Sequence, residues 1–269
     1  MTERPGVFRN PDFTGAVAVV TGAGSGIGAA IARDLAASGA RVVVTGRRPG
    51  PLEALCADIT AAGGCAEPVP GSVTDPDHVA ALIHRAAGAD GVIHILVNNA
   101  GTPGPTTPLR DLPLSDWHET IDTNLTGVFL TCREAIPFLG RAGHGKIVNI
   151  GSATGKRPLV NRASYAAAKL GLVGLTRTLA HELGPDGISV NTISPFLVHN
   201  ARLDGVIATM AAARGISTEA LWQEYTQETA FGRAVTEADV SRLVMFLASS
   251  AADDITGEDW NVTAGSTMY

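Results

Sequence analysis

Ala16-Val-Ala-Val-Val-Thr21-Gly22-Ala-Gly24-Ser25-Gly26-Ile27-Gly28 decides the fold of this chain. A β-branched run passes directly into a loop carrying four glycines, and an Ala/Leu-rich helical pattern, residues 27–38, follows at once. The run reads as a buried strand. Glycines let the backbone turn tightly and come close to a pyrophosphate. The N-terminus of the following helix offers unpaired N–H groups and the positive end of its dipole to an anion. Strand, loop and helix in that order predict a dinucleotide site, with Gly22, Gly24, Ser25, Gly26, Ile27 and Gly28 around the phosphates.

Outward from this stretch the same alternation repeats. Residues 41–45, 67–70, 94–98, 146–150, 188–193 and 259–262 read as further strands. Residues 51–62, 75–87, 115–139 (begun by a Ser115 cap), 164–183 and 237–249 read as helices. The pattern predicts an α/β fold, a three-layer, Rossmann-like, doubly wound parallel sheet of about seven strands. Residues 1–269 form one domain in this reading. Residues 197–233, with helical segments at 202–214 and 218–229, interrupt the alternation and read as a helical lid inserted over the site. Ligands in such sheets bind beyond the carboxyl ends of the strands.

Composition narrows the function. Hydrophobic residues make up 45% and charged ones 17%, the balance of helices covering a buried sheet. A net charge of −6 argues against nucleic acid and anionic membranes as partners. No apolar run reaches about 18 residues, so no membrane span is expected. Residues 1–14 are polar and lack the apolar core of a signal peptide. Cys56, Cys65 and Cys132 show no metal-ligand spacing and cannot all pair within the chain. Reduced thiols, a cytoplasmic location and no bound metal are the expectation.

The chemistry is carried by Tyr165-Ala-Ala-Ala-Lys169, with Ser152 upstream. A tyrosine and a lysine at this spacing share a helix face. An ammonium beside a phenol favours the phenolate, and a tyrosine so tuned can trade a proton with a substrate oxygen. A nearby serine hydroxyl can hold the same oxygen. The cofactor is indicated by the end of the second strand, Val42-Val-Val-Thr-Gly46-Arg47-Arg48. A carboxylate there would hold the ribose 2′-hydroxyl of NAD, whereas arginine receives the 2′-phosphate of NADP. Arg47 and Arg48 favour NADP(H), with NAD(H) as the alternative.

Together, the glycine loop, Asn98-Asn-Ala-Gly101, Asn124, Ser152, Tyr165-x-x-x-Lys169 and the stretch Asn191 to Pro195 resemble the short-chain dehydrogenase/reductase family in its single-domain branch. The resemblance implies a nicotinamide cofactor, hydride transfer at a carbonyl or carbinol carbon, a small-molecule ketone or alcohol as substrate, and a dimer or tetramer. It implies that Tyr165 is the general acid in reduction and the base in oxidation. Ser152 would polarise the substrate oxygen, Lys169 would contact the nicotinamide ribose, and Asn124 would support a water-linked proton relay to Lys169. Asn98, Ala100 and Gly101 would line the cofactor after the fourth strand, with Pro195 and Val198 at the nicotinamide end.

Three positions depart from the family pattern. Ser72-Val73 stands where an aspartate usually meets the adenine. Phe196 replaces the glycine after Pro195, which removes conformational freedom and puts a ring near the nicotinamide. Asn200 replaces a threonine and can still donate to the carboxamide. Residues 102–114 and 154–162 should rim the substrate pocket, with Phe196, Arg157, His199 and Trp222 among its walls. The basic residues there, Lys156, Arg157 and Arg162, are candidates for an anionic substrate or for a solvated surface. Alternative functions are a non-catalytic dinucleotide sensor, an imine reductase and a redox-neutral enzyme of the same family.

Overall fold

A computed structural model describes residues 11–269. Seven strands form one sheet: β1 (Val17–Thr21), β2 (Arg41–Gly46), β3 (Cys65–Pro70), β4 (Ile95–Asn98), β5 (Lys146–Ile150), β6 (Ser189–Pro195) and β7 (Asp259–Val262). Their spatial order is β3-β2-β1-β4-β5-β6-β7, and every pairing is parallel. The helices are α1 (Gly26–Ala37), α2 (Pro49–Ala61), α3 (Pro76–Ala87), α4 (Leu114–Ile121), α5 (Gly127–Leu139), α6 (Ala163–Leu183), α7 (Ala201–Arg214), α8 (Thr218–Gln227) and α9 (Glu237–Ala248). The strand order reverses between β1 and β4. There the two connections leave in opposite directions and open a crevice above the carboxyl ends.

The Val-rich strands are buried on both faces, and their alternation divides the core in two. Val20, Val42 and Val44 point towards Ile31, Leu35, Leu52 and Val244 of α1, α2 and α9. Val19 and Val43 point the other way, towards Leu82, Ile83, Leu139 and Leu172 of α3, α5 and α6. Period-two strands between layers of helices account for this doubly wound architecture.

Helix starts follow local chemistry where a cap is present. Asp75 caps α3, accepting from Asp77 N at 3.0 Å and His78 N at 3.4 Å, with Pro76 in the first turn. Thr236 and Asp239 form a reciprocal capping box on α9. The expected continuous helix over 115–139 is corrected in two respects. It starts after Pro113 with no side-chain cap, and Ser115 Oγ instead donates to Asp116 Oδ1 at 3.3 Å. A π-helical turn, Asp122–Thr126, then separates α4 from α5. Proline holds Pro113 at φ −60 and starts the helix without help from Ser115.

A chain of buried polar side chains ties the layers together. Thr131 Oγ1 on α5 donates to Asn98 Oδ1 on β4 at 2.7 Å. Asn98 Nδ2 donates to Asn149 Oδ1 on β5 at 2.9 Å, and Asn149 Nδ2 to Thr176 Oγ1 on α6 at 2.9 Å. Thr176 Oγ1 meets Thr192 Oγ1 on β6 at 2.7 Å. All of these residues are buried, so each group needs its partner. Asn149→Leu should lower the unfolding free energy by about 1–3 kcal/mol, because it takes from buried Asn98 Nδ2 its oxygen acceptor and from Thr176 Oγ1 one of its two partners. Chemical denaturation checks this, and an unchanged midpoint would show that the polar chain carries no stability.

Candidate active site

The crevice at the strand reversal is a cleft of about 1020 Å³. Gly22, Gly24 and Ser25 line it from the β1–α1 loop, Arg47 and Arg48 from the end of β2, and Ser72 and Val73 from beyond β3; Ala100 and Gly101 close it after β4. Gly22 has φ 66, and a side chain there would fall 2.6 Å from Ala100 Cα, so glycine answers both the turn and the close approach. Ser25 begins α1 with extended backbone and makes no side-chain cap bond, so no cap competes with an incoming phosphate at the α1 N-terminus. Glu237 Oε1 and Asn200 Nδ2 lie 3.3 and 4.0 Å from where a Gly26 Cβ would stand, and they bound the loop from the α9 and α7 sides. Arg47 and Arg48 are exposed at the cleft. Ser72 Oγ pairs with Thr74 Oγ1 at 2.8 Å, and Val73 is buried. The donor set, uncapped amides followed by two guanidinium groups, fits a dinucleotide pyrophosphate and a terminal phosphate.

The loop owes its shape to residues whose part the sequence reading did not assign. Thr21 Oγ1 accepts from the backbone N–H of both Asn99 and Ala100 at 3.0 Å. Asn99 Nδ2 donates back to the carbonyls of Thr21 and Gly22 at 3.0 Å. Thr21 stands directly before Gly22, and Asn99 lies within Asn98-Asn-Ala-Gly101; membership of those two motifs was the available signal. Asn98, expected along the cofactor, instead turns its side chain into the buried polar chain.

The second corner of the site is built on α6. Lys169 is buried, its Nζ donates to Ile150 O at 2.8 Å, and it stands 5.8 Å from the Tyr165 ring centroid. Tyr165, half-buried, lies one turn earlier. Ser152 follows β5 and starts a short 3₁₀ turn, accepting from Thr154 N at 3.2 Å. Its hydroxyl proton is left to donate. That turn sits flush on α6: a Cβ on Gly155 would come within 3.0 Å of Leu170 N. Ser152 is thereby brought to the helix that carries Tyr165 and Lys169.

Asn124 lies in the π-helical turn and is wholly buried. Its Nδ2 donates to Thr102 O at 3.0 Å and Thr120 O at 2.8 Å. Its Oδ1 has no hydrogen-bond partner within the described residues. A Cβ on Gly101 would be 2.7 Å from that oxygen and 3.7 Å from Lys169 Nζ, so the two polar groups converge where Gly101 has no side chain. An orphaned acceptor beside an ammonium suits a bound water or ligand hydroxyl.

The side expected to face the substrate is more apolar than its sequence suggests. Phe196 packs with Ala153, Leu197, Trp222 and Tyr225. The residue held at positive φ is Leu197, at 51°, not Phe196. Arg157 stacks over the Phe196 ring at 5.2 Å and is ion-paired with Glu228. Lys156 Nζ is 2.9 Å from Asp259 Oδ2 and donates to Asn261 Oδ1 at 2.8 Å. Both cations are thus occupied, and the anionic-substrate reading loses these two residues. His199 is exposed, 3.4 Å from Asp204, and edge-on to Trp222 at 5.2 Å. Val198 forms a single bridge with Val235, and Asn200 Oδ1 caps α7 through Leu203 N at 3.0 Å, which leaves Asn200 Nδ2 free of that bond. Burial pushes the Tyr225 phenol up, with Glu224 and Glu228 adding to the effect.

Comparison with known proteins agrees with this geometry. The family described as enoyl-(acyl carrier protein) reductase matches residues 22–267. Cis-4-hydroxycyclohexanecarboxylate dehydrogenase of Sinomonas cyclohexanicum is 39% identical over 95% of this chain and 98% of its own. A putative ketoacyl reductase of the granaticin polyketide synthase of Streptomyces violaceoruber is 35% identical over 100% of this chain and 97% of its own. Among solved structures, a phenylalanine-to-tryptophan variant of actinorhodin polyketide ketoreductase with NADPH superposes with a TM-score of 0.89 at 35% identity, covering 94% of this chain and 98% of that one. With the glycine loop, the parallel sheet and the Ser–Tyr–Lys corner all in place, the chain belongs to the short-chain dehydrogenase/reductase family.

Proposed function

We propose that this protein is an NADP(H)-dependent carbonyl reductase, working in reverse as a secondary-alcohol dehydrogenase. The observation that carries the reading is the placement of Ser152, Tyr165 and Lys169 on one corner, where β5 meets α6, beside a cleft suited to a dinucleotide. The nicotinamide, when bound, supplies or accepts the hydride. Ser152 Oγ donates to the substrate oxygen and holds it. Tyr165 gives its phenolic proton to that oxygen in reduction and takes it back in oxidation. The oxygen gathers negative charge as the carbonyl is reduced, so both donors bind the transition state more tightly than the ground state. Lys169 places its positive charge beside the phenolate that Tyr165 becomes. Asn124 Oδ1 accepts from a water that resupplies the proton through Lys169.

Arg47 and Arg48 are the reason to favour NADP(H), since a guanidinium fork matches a phosphate and no carboxylate lies between Arg41 and Gly50. The NADPH-bound ketoreductase relative supports the same choice. Helices α7 and α8 act as a lid over the substrate. Phe129 on α5 and Leu170 on α6 are exposed apolar residues on the two long helices, which supports assembly as a dimer or tetramer through that surface. Free cysteines are in keeping with a cytoplasmic enzyme. No helix among the described residues is long and apolar enough to cross a membrane.

Tyr165→Phe should lower turnover of a ketone by about 10²–10³ while NADPH still binds, because one donor to the developing oxyanion is lost. Steady-state kinetics with fluorescence titration of NADPH checks it, and near-normal turnover would sink the mechanism. Arg47→Asp should move the preference from NADPH towards NADH. The ratio of kcat/KM for the two cofactors reads this directly, and a wild type using both equally would refute the NADP(H) assignment.

A further inference from the structure

The ring of Tyr165 is flanked by a second cation besides Lys169. Arg162, the residue that leads into α6, places its guanidinium carbon 4.8 Å from the ring centroid, nearer than the 5.8 Å of Lys169 Nζ. Arg162 also reaches across the pocket rim, where its Nη1 donates to Thr106 Oγ1 at 3.2 Å. The backbone makes the same crossing, since Thr107 N donates to Asn161 O at 3.0 Å. Asn161 adopts φ 63, a left-handed conformation that asparagine tolerates better than most residues. The segment before α6 and the loop after β4 are therefore clasped at two points. One half of that clasp is a cation lying on the proton-transferring tyrosine.

We infer that Arg162 is a positioning residue for Tyr165, holding the ring against the rim loop through its stacked guanidinium. The inference rests on Tyr165 being the proton-transferring group. A guanidinium over a phenol ring is attracted to the π face, and more strongly once the ring carries negative charge. The other groups that face this corner are the Lys169 ammonium from the next turn of α6, the neutral Ser152 hydroxyl from the β5 turn and the neutral Asn124 amide from the π-helical turn. Among the described residues no carboxylate hydrogen-bonds to Tyr165. Because Arg162 also holds Thr106, whatever displaces residues 102–108 on substrate binding is transmitted to the ring.

The test separates charge from tether with Arg162→Gln, Arg162→Lys and Thr106→Val. The near-ultraviolet circular dichroism of each is recorded at neutral pH, with the same variant carrying Tyr165→Phe as the blank, so the readout of ring order does not depend on turnover. In Arg162→Gln the Tyr165 band should lose much of its amplitude, and kcat for the ketone should fall roughly two- to fivefold while NADPH still binds. Arg162→Lys should recover most of both and confirm that the fold is intact. Thr106→Val should leave the Tyr165 band in place and raise the ketone KM a fewfold. An Arg162→Gln band superimposable on the wild type would overturn the proposal, as would an unchanged KM in Thr106→Val for the tether. A wild type that turns over no ketone would refute the enzyme reading while the Tyr165 band still decided the role of Arg162.

Discussion

A lysine ammonium buried at the edge of a hydrophobic layer costs several kcal/mol unless its donors are met, and the active corner is organised around meeting them at Lys169. Ile150 O takes one donor at 2.8 Å, the face of Tyr165 lies on another side, and Asn124 Oδ1 approaches where Gly101 leaves room. Ile150 is the last residue of β5 and Ser152 follows two residues later. The bond that satisfies the lysine therefore also fixes α6 against β5. Serine and tyrosine are brought to one corner by the requirement to pair a charge, not by a contact of their own.

The same economy explains the π-helical turn. Inserting an extra residue into a helix turn rotates the side chains beyond it and is a known mark of functional sites. Here it falls at Asn124, whose amide nitrogen bonds inward to Thr102 O and Thr120 O and whose oxygen is left aimed at the Gly101 gap. The next turns of the same segment carry Thr131 into the polar chain through Asn98, Asn149, Thr176 and Thr192. Helices α5 and α6 are thus locked to β4, β5 and β6 by groups that cannot be exchanged for water without loss. A rigid base of this kind is what proton transfer over hydrogen-bond distances requires.

The parts legible in the sequence were those set by local pattern. The five inner strands could be read because Val and Ile runs buried on both faces leave little alternative, whereas the partly exposed edge strands β3 and β7 were read from their place in the alternation. The glycine loop and the Ser152, Tyr165 and Lys169 set could be read because their chemistry needs fixed residue types at fixed spacing. What could not be read depended on distant partners. The neutralisation of Arg157 by Glu228 and of Lys156 by Asp259 joins residues far apart in the chain. Asn98 looked like a cofactor residue because Ala100 and Gly101, close after it, line the cleft. Only the positions of Thr131 and Asn149 show why its amide faces the interior. Ser115 was a plausible cap displaced by a proline two residues earlier.

The departure from the family at Pro195-Phe196 has its consequence one residue later. Leu197 is held at φ 51, where a β-carbon costs about 1–2 kcal/mol. The strain is offset locally: Leu197 is buried against Phe196 and Ala153, its carbonyl accepts from Val235 N at 3.2 Å, and His199 N donates to Val235 O at 2.9 Å. The root of the α7–α8 segment is therefore pinned at Val235 to the stretch that leads into α9. Farther out, Ile207, Ala211 and Leu221 pack between α7 and α8 themselves. A segment anchored at its root, with a small core of its own, holds together as a unit. In the proposed enzyme, adaptation to substrates of different size would fall to that unit and to residues 102–114, while β5 and α6 hold Ser152 and Tyr165 in place.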